Sequence, residues 1–142
     1  MQETPEAMIR RWFDELWNQG REDTIDRMLA PDAKVHGLTP ADRPISGPDE
    51  FKPFFRQFRE AFPDIRITVV QTVAQGNLVA AHCHVVGTHG GHGLGVPATN
   101  RPIEFSGMCI IRAEGDQFVE GWNCFDFLTC YQQVGLMPQL NA

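Results

Sequence analysis

The chain has no basic run. Its 12 Lys and Arg residues stand against 18 Asp and Glu, for a formal charge of −6, and that balance weighs against nucleic acid or an anionic membrane as the main partner. Long apolar runs are missing too. No stretch approaches the roughly 20 residues a spanning helix needs, and the N-terminal MQETPEAMIRRW has no positive segment followed by an apolar one. A cytoplasmic protein with no membrane partner is the expectation. There is no C-x-x-C pair. Cys83, Cys109, Cys124 and Cys130 lie inside apolar segments, which suits buried thiols better than a disulfide frame. No repeat, low-complexity tract or linker divides residues 1–142, and a hydrophobic content of 42% is enough for one core. A single domain with a small-molecule partner is expected.

What is present begins with helices. Thr4-Pro5-Glu6 offers a cap, a proline suited to the first helical position and an acid in the first turn. Met8, Ile9, Trp12, Phe13, Leu16 and Trp17 then recur as adjacent pairs four apart, a wide apolar stripe that Gly20 can end. A second helix is expected over 23–29, stopped by Pro31, then a brief strand over 33–36. Residues 37–47 hold too many breakers for regular structure and read as a loop. Pro48-Asp49-Glu50 opens a third helix whose Phe51, Phe54, Phe55, Phe58 and Phe62 share one face, with Pro53 taken as lying in the first turn and Pro63 closing it.

From Asp64 the period changes to two. Ile65, Ile67 and Val69 alternate with Arg66, Thr68 and Val70; a turn at Gln75-Gly76-Asn77 leads to a partner strand over 78–86, and two longer strands are expected over 103–112 and 117–125. Helices followed by a meander give an α+β order. At the end of the last strand Asp126 stands where a helix N-cap belongs, with Gly135 suited to the position after the helix. The helix stripes need one broad sheet to bury against, and a curved sheet leaves a pocket between. That pocket is expected to open among His36, the helix faces and the corner from Asn123 to Asp126.

Several features together resemble the SnoaL-like polyketide cyclase family of the NTF2-like superfamily. They are Pro31-Asp32 with a polar His36, Gly47-Pro48 before an aromatic helix ending Phe62-Pro63-Asp64, Gly87-Thr-His-Gly-Gly91, and Gly95-x-Pro97-x-x-x-Arg101. Phe105-Ser-Gly107, Glu120-x-Trp122-x-x-x-Asp126 and Gln133-Val-Gly135 complete the set. The resemblance implies an α+β cone: a curved mixed or antiparallel sheet covered by three N-terminal helices, with a short C-terminal helix, usually a homodimer. It also implies ring closure or related dehydration and isomerisation chemistry without metal or cofactor. In this register the cyclases' acid/base aspartate falls on Asn123, their pocket histidine on Cys109 and their pocket asparagine on His36.

The residues themselves leave several roles open. Asp126 beside Trp122 and Phe125 is either a general base with a raised pKa or a helix cap held ionised by backbone N–H groups. Asn123 cannot take a proton, but its amide can donate to a developing enolate. In an extended strand it faces opposite to Trp122. His36 titrates in the useful range by nature, and a rim position would leave it merely solvated. Trp12, Phe55 and Trp122 are expected as apolar walls around an apolar carbonyl ligand. His82, His84, His89 and His92 raise a metal hypothesis without the converging third and fourth ligands that it needs. A cofactor-free enzyme on a carbonyl compound is the first expectation, and a non-catalytic binding module the alternative.

Overall fold

The computed structural model describes residues 3–39 and 43–138. Helix α1 runs Pro5–Trp12, capped by Thr4, whose hydroxyl accepts from the Ala7 N–H at 3.1 Å. It continues as a π-helical segment over Phe13–Asn18, in which the Gln19 N–H reaches five residues back to the Asp14 carbonyl at 2.9 Å. The wider turn keeps Trp12, Phe13, Leu16 and Trp17 all buried on one side. Helix α2 spans Asp23–Met28, and strand β1 follows at once over Leu29–His36, four residues earlier than the spacing suggests.

The expected loop over 37–47 contains a short strand, β2, at Ile45–Ser46, which pairs antiparallel with Lys34 and Val35; residues 40–42 lie outside the described part. Helix α3 covers Gly47–Ala61, so Pro53 sits inside it rather than in its first turn. Both Pro53 and Asp49, whose carbonyl loses its helical partner, face solvent, so water can satisfy that group. Phe51, Phe55 and Phe58 are buried from this helix, while Phe62 just beyond it is fully buried.

Strands β3 (Arg66–Gln75), β4 (Leu78–Thr88), β5 (Pro102–Glu114) and β6 (Gln117–Phe125) form the antiparallel meander read from the sequence. The curved sheet has the order β2-β1-β6-β5-β4-β3, with β1 and β6 parallel and every other pair antiparallel. Helix α4, Phe127–Gln133, follows β6, and the Gln133 amide pins it by bonding both the N–H and the carbonyl of Glu104 at 2.8 and 2.9 Å.

Helices α1 and α3 lie over the concave face of the sheet. Edge strand β3 is covered at its start by α1. The Asn18 amide pairs with both backbone groups of Ile67, at 2.9 and 2.6 Å, as a neighbouring strand would. The glycine-rich segment after β4 closes the far end of α3. Gly90 and Gly91 donate their N–H groups to the Ala61 carbonyl, and a Cβ at Gly91 would lie only 1.8 Å from the Glu60 carbonyl oxygen. Close approach to a helix end, more than turning, is what glycine does there. Cys83, Cys109 and Cys130 are buried free thiols as expected, but Cys124 is exposed on the convex face. Among the described residues no helix is long and apolar enough to cross a membrane.

Candidate active site

Between the helices and the sheet lies an apolar hollow of about 740 Å³, a figure that includes the solvent space at its open mouth. Helix α1 and its π-helical extension contribute Trp12, Phe13 and Trp17, and α3 contributes Phe51, Phe54 and Phe58. The sheet supplies Val85, Phe105, Ile111 and Phe118, and Phe127 of α4 closes one side. These rings hold one another in place. Trp17 packs against Phe54, Phe55 and Phe58 with centroids 6.1, 5.2 and 6.1 Å away, and Trp12 meets Phe51 edge-on at 5.4 Å.

Among the described residues, Glu120 and Asn123 are the two lining residues that carry side-chain oxygen. Strand β6 decides how each points. Arg112 pairs with Glu120 but Ala113 pairs with Phe118, so Val119 is an extra residue in a bulge. After the bulge Gly121, Asn123 and Phe125 face the cavity, while Glu120, Trp122 and Cys124 face the convex side. The Glu120 carboxylate is engaged there. His36 Nε2 lies 2.8 Å from its Oε2, and Arg112 holds its other oxygen. The bond from His36 is the main reason the Glu120 pKa sits below the ordinary carboxylate value, with Arg112 adding to it.

Among the described lining residues, Asn123 is therefore the one whose oxygen-bearing side chain is aimed inward. Its Nδ2 donates to the backbone carbonyl of His36 at 3.0 Å, which orients the amide and leaves one N–H and the Oδ1 free for a ligand. The chain at Gly37 presses against the same residue: with φ at +89°, a Cβ there would lie 2.0 Å from the Asn123 carbonyl oxygen.

The structure separates the other expected site residues. Trp12 lines the cavity, but Phe55 packs behind it in solid core at 4% exposure, and Phe54 takes the wall position instead. His36 points to the convex side, its ring stacked on Trp122 at 5.7 Å and 16°. Trp122 is thereby on the outer face, where the Arg112 guanidinium also covers it at 5.7 Å, and is not a cavity wall. Cys109 is buried on the concave side of β5 outside the cavity lining, and its bond to Cys83, together with burial, drives its thiol pKa well up. Asp126 is exposed and caps α4. Its Oδ1 accepts from the Thr129 N–H at 3.0 Å and its Oδ2 from the Thr129 hydroxyl at 2.6 Å. Those bonds lower its pKa, the opposite of a tuned general base. The pocket thus opens beside Asn123 but not among His36 and Asp126.

The histidines are dispersed. His82 and His84 share the convex face, where His84 Nε2 approaches Glu104 at 3.3 Å, and His89 is buried with Nδ1 against Thr99. Among the described residues no group of three or more His, Cys, Asp or Glu side chains is placed to hold a metal ion. Spacing along the sequence did not single out Trp17, Phe54 or Phe127 as wall residues, because several aromatics of each stripe fit a buried face equally well. The contact between His36 and Glu120 had no sequence signal at all, since it depends on β1 and β6 lying parallel.

The sequence profile of SnoaL-like polyketide cyclases matches residues 7–134. The chain belongs to that family. Among solved structures, IdmH of Streptomyces antibioticus, described as a candidate polyketide cyclase, is 30% identical with a TM-score of 0.81 over 94% of this chain and 99% of its own. A candidate SnoaL-like polyketide cyclase from Jannaschia sp. CCS1 is 19% identical with a TM-score of 0.83, covering 96% of this chain and 95% of that one. AclR of Streptomyces galilaeus, described as a candidate hydroxylase, is 23% identical with a TM-score of 0.82 over 96% of this chain and 84% of that one. The last two likenesses speak to the fold alone. No curated protein matches in sequence. The SnoaL-like fold accounts for the α+β cone and for the helix-roofed cavity.

Proposed function

We propose that this SnoaL-like protein is a small-molecule enzyme that takes up an apolar carbonyl compound and promotes its enolisation, the first step of aldol ring closure or isomerisation. The observation that carries this reading is the position of Asn123, a fixed amide in a wall whose other described residues, Glu120 apart, are apolar. An amide N–H aimed at a carbonyl oxygen in a water-poor site stabilises the charge that develops there, an effect worth several kcal/mol in the transition state. Among the described residues of the lining none is cationic, which disfavours carboxylates and phosphates as ligands.

Among the described residues the lining offers no free carboxylate, imidazole or amine to remove a proton. Water entering at the open mouth is then the acceptor, and a substrate whose C–H lies between carbonyls and is already acidic fits that limit. The same limit favours a second reading, a binding module of identical shape that never turns its ligand over.

Benzoylacetone separates the two. Its binding can be followed by quenching of the wall tryptophans, and enolisation by deuterium exchange at its methylene. Saturable acceleration of exchange that falls about a hundredfold in Asn123→Ala, with binding largely kept, supports the enzyme. Tight binding without acceleration supports the binding module, and no binding refutes both. A homodimer through the convex face is supported by exposed Met108, Ile110 and Trp122, which lie side by side across β5 and β6. Sedimentation of wild type against Ile110→Lys tests it, and a monomeric wild type overturns it.

A further inference from the structure

The polar residues on the convex face are joined to the cavity through one backbone carbonyl. Arg112 of β5 and His36 of β1 hold the two oxygens of Glu120 on β6, with 2.8 Å between His36 Nε2 and Oε2. The carbonyl of the same His36 accepts from Asn123 Nδ2 at 3.0 Å, on the other side of the sheet. His36 and Trp122 are directly paired in the parallel ladder, and Trp122 is the residue before Asn123. A change at the imidazole therefore acts where the amide is anchored.

We propose that Glu120 and His36 form a proton-responsive positioning pair, set on the outer face of the sheet, that fixes the Asn123 amide inside the cavity through the His36 carbonyl. Only the importance of Asn123 for a ligand rests on the functional reading above; the coupling itself does not.

The groups facing His36 can be named. From β6 they are Glu120 and the Trp122 ring, and from β5 Arg112, whose guanidinium also lies over the Trp122 ring. From β1 itself Lys34 lies on the same side, its ammonium bonded to Ser46 of β2. When the ring is protonated, Glu120 sits between cations from both sides and ties the end of β1 to β6. A neutral ring keeps at most the hydrogen bond. The attraction between imidazolium and carboxylate is lost, and the His36-Gly37 backbone is free to ease away from Asn123. Among the described residues Arg112 then remains the charge partner of Glu120.

The test needs no substrate. In the ¹⁵N-labelled full chain the side-chain NH2 signals of Asn123, assigned by their loss in Asn123→Ala, are followed between about pH 5 and 8, where imidazoles change charge. The expected result is one sigmoidal shift in the wild type and none in His36→Gln or, should that variant fold poorly, His36→Asn. In Glu120→Gln, which keeps the shape and removes the carboxylate charge that the ring faces at 2.8 Å, the shift should shrink. Asn123 signals indifferent to pH in the folded wild type, or a shift unchanged by the His36 and Glu120 variants, overturn the pair. Coupling present while Asn123→Ala still accelerates benzoylacetone exchange would leave the pair standing and remove the role given to the amide. The reverse pattern would do the opposite.

Discussion

The Asp126 carboxylate holds the first turn of α4 through both of its oxygens, taking the N–H and the hydroxyl of Thr129 at 3.0 and 2.6 Å. Its pKa is lowered in the folded protein, so this stabilisation is complete above the ordinary aspartate value near 3.9 and is lost as pH falls through the lower, folded value. Asp126→Ala should cost about 1 kcal/mol at neutral pH. Asp126→Asn, which keeps an acceptor, should cost less and remove that part of the acid dependence. Neither should change benzoylacetone binding, because the residue is not part of the wall; urea unfolding and fluorescence titration check the two halves.

Gly37 and Gly76 both have left-handed backbone, at φ of +89° and +61°, but a Cβ at Gly76 meets nothing while one at Gly37 meets the Asn123 carbonyl. Gly76→Ala should cost about 1 kcal/mol, the strain of the conformation alone. Gly37→Ala should cost at least about 3 kcal/mol, since the ends of β1 and β6 must also part. It should weaken ligand binding as well. Equal losses in the two variants would show that the contact with Asn123 is not tight.

Phe54 and Phe55 are neighbours with different tasks. Phe55 is buried in solid core, so Phe55→Ala should cost about 3–5 kcal/mol of stability. Phe54 is half-buried and lines the hollow, so Phe54→Ala should cost less stability and weaken benzoylacetone about tenfold. Denaturation midpoints and affinities measured on both proteins would reveal a reversed assignment at once.

His89 is fully buried, and with Nδ1 accepting from the Thr99 N–H at 3.3 Å its proton belongs on Nε2, which has no partner. Burial, then the nearby His92, lowers its pKa. The unfolded chain therefore takes up the proton first, and stability should decline as pH falls below about 6.5. His89→Gln should flatten that decline in thermal melts between about pH 5 and 7, the interval just below the ordinary imidazole value. An unchanged slope would place the acid sensitivity elsewhere.

Much of this protein was readable from local pattern. Thr4-Pro5 and Asp126 begin helices because capping is decided within a few residues. The five phenylalanines near α3 and the alternation after Asp64 mark buried faces because helical and strand periods are local too. The family resemblance carried the remaining step to the cone. The tertiary structure alone decided which buried aromatics border empty space and which border one another, so Phe54 lines the hollow and Phe55 does not. It alone brought together His36 and Glu120, 84 residues apart, by laying β1 parallel to β6. A periodic pattern says which side of an element is dry, but not what the opposite element places against it. The single residue added at Val119 shifts β6 by one step against β5, and such a step decides that Asn123 faces the cavity while Trp122 faces out.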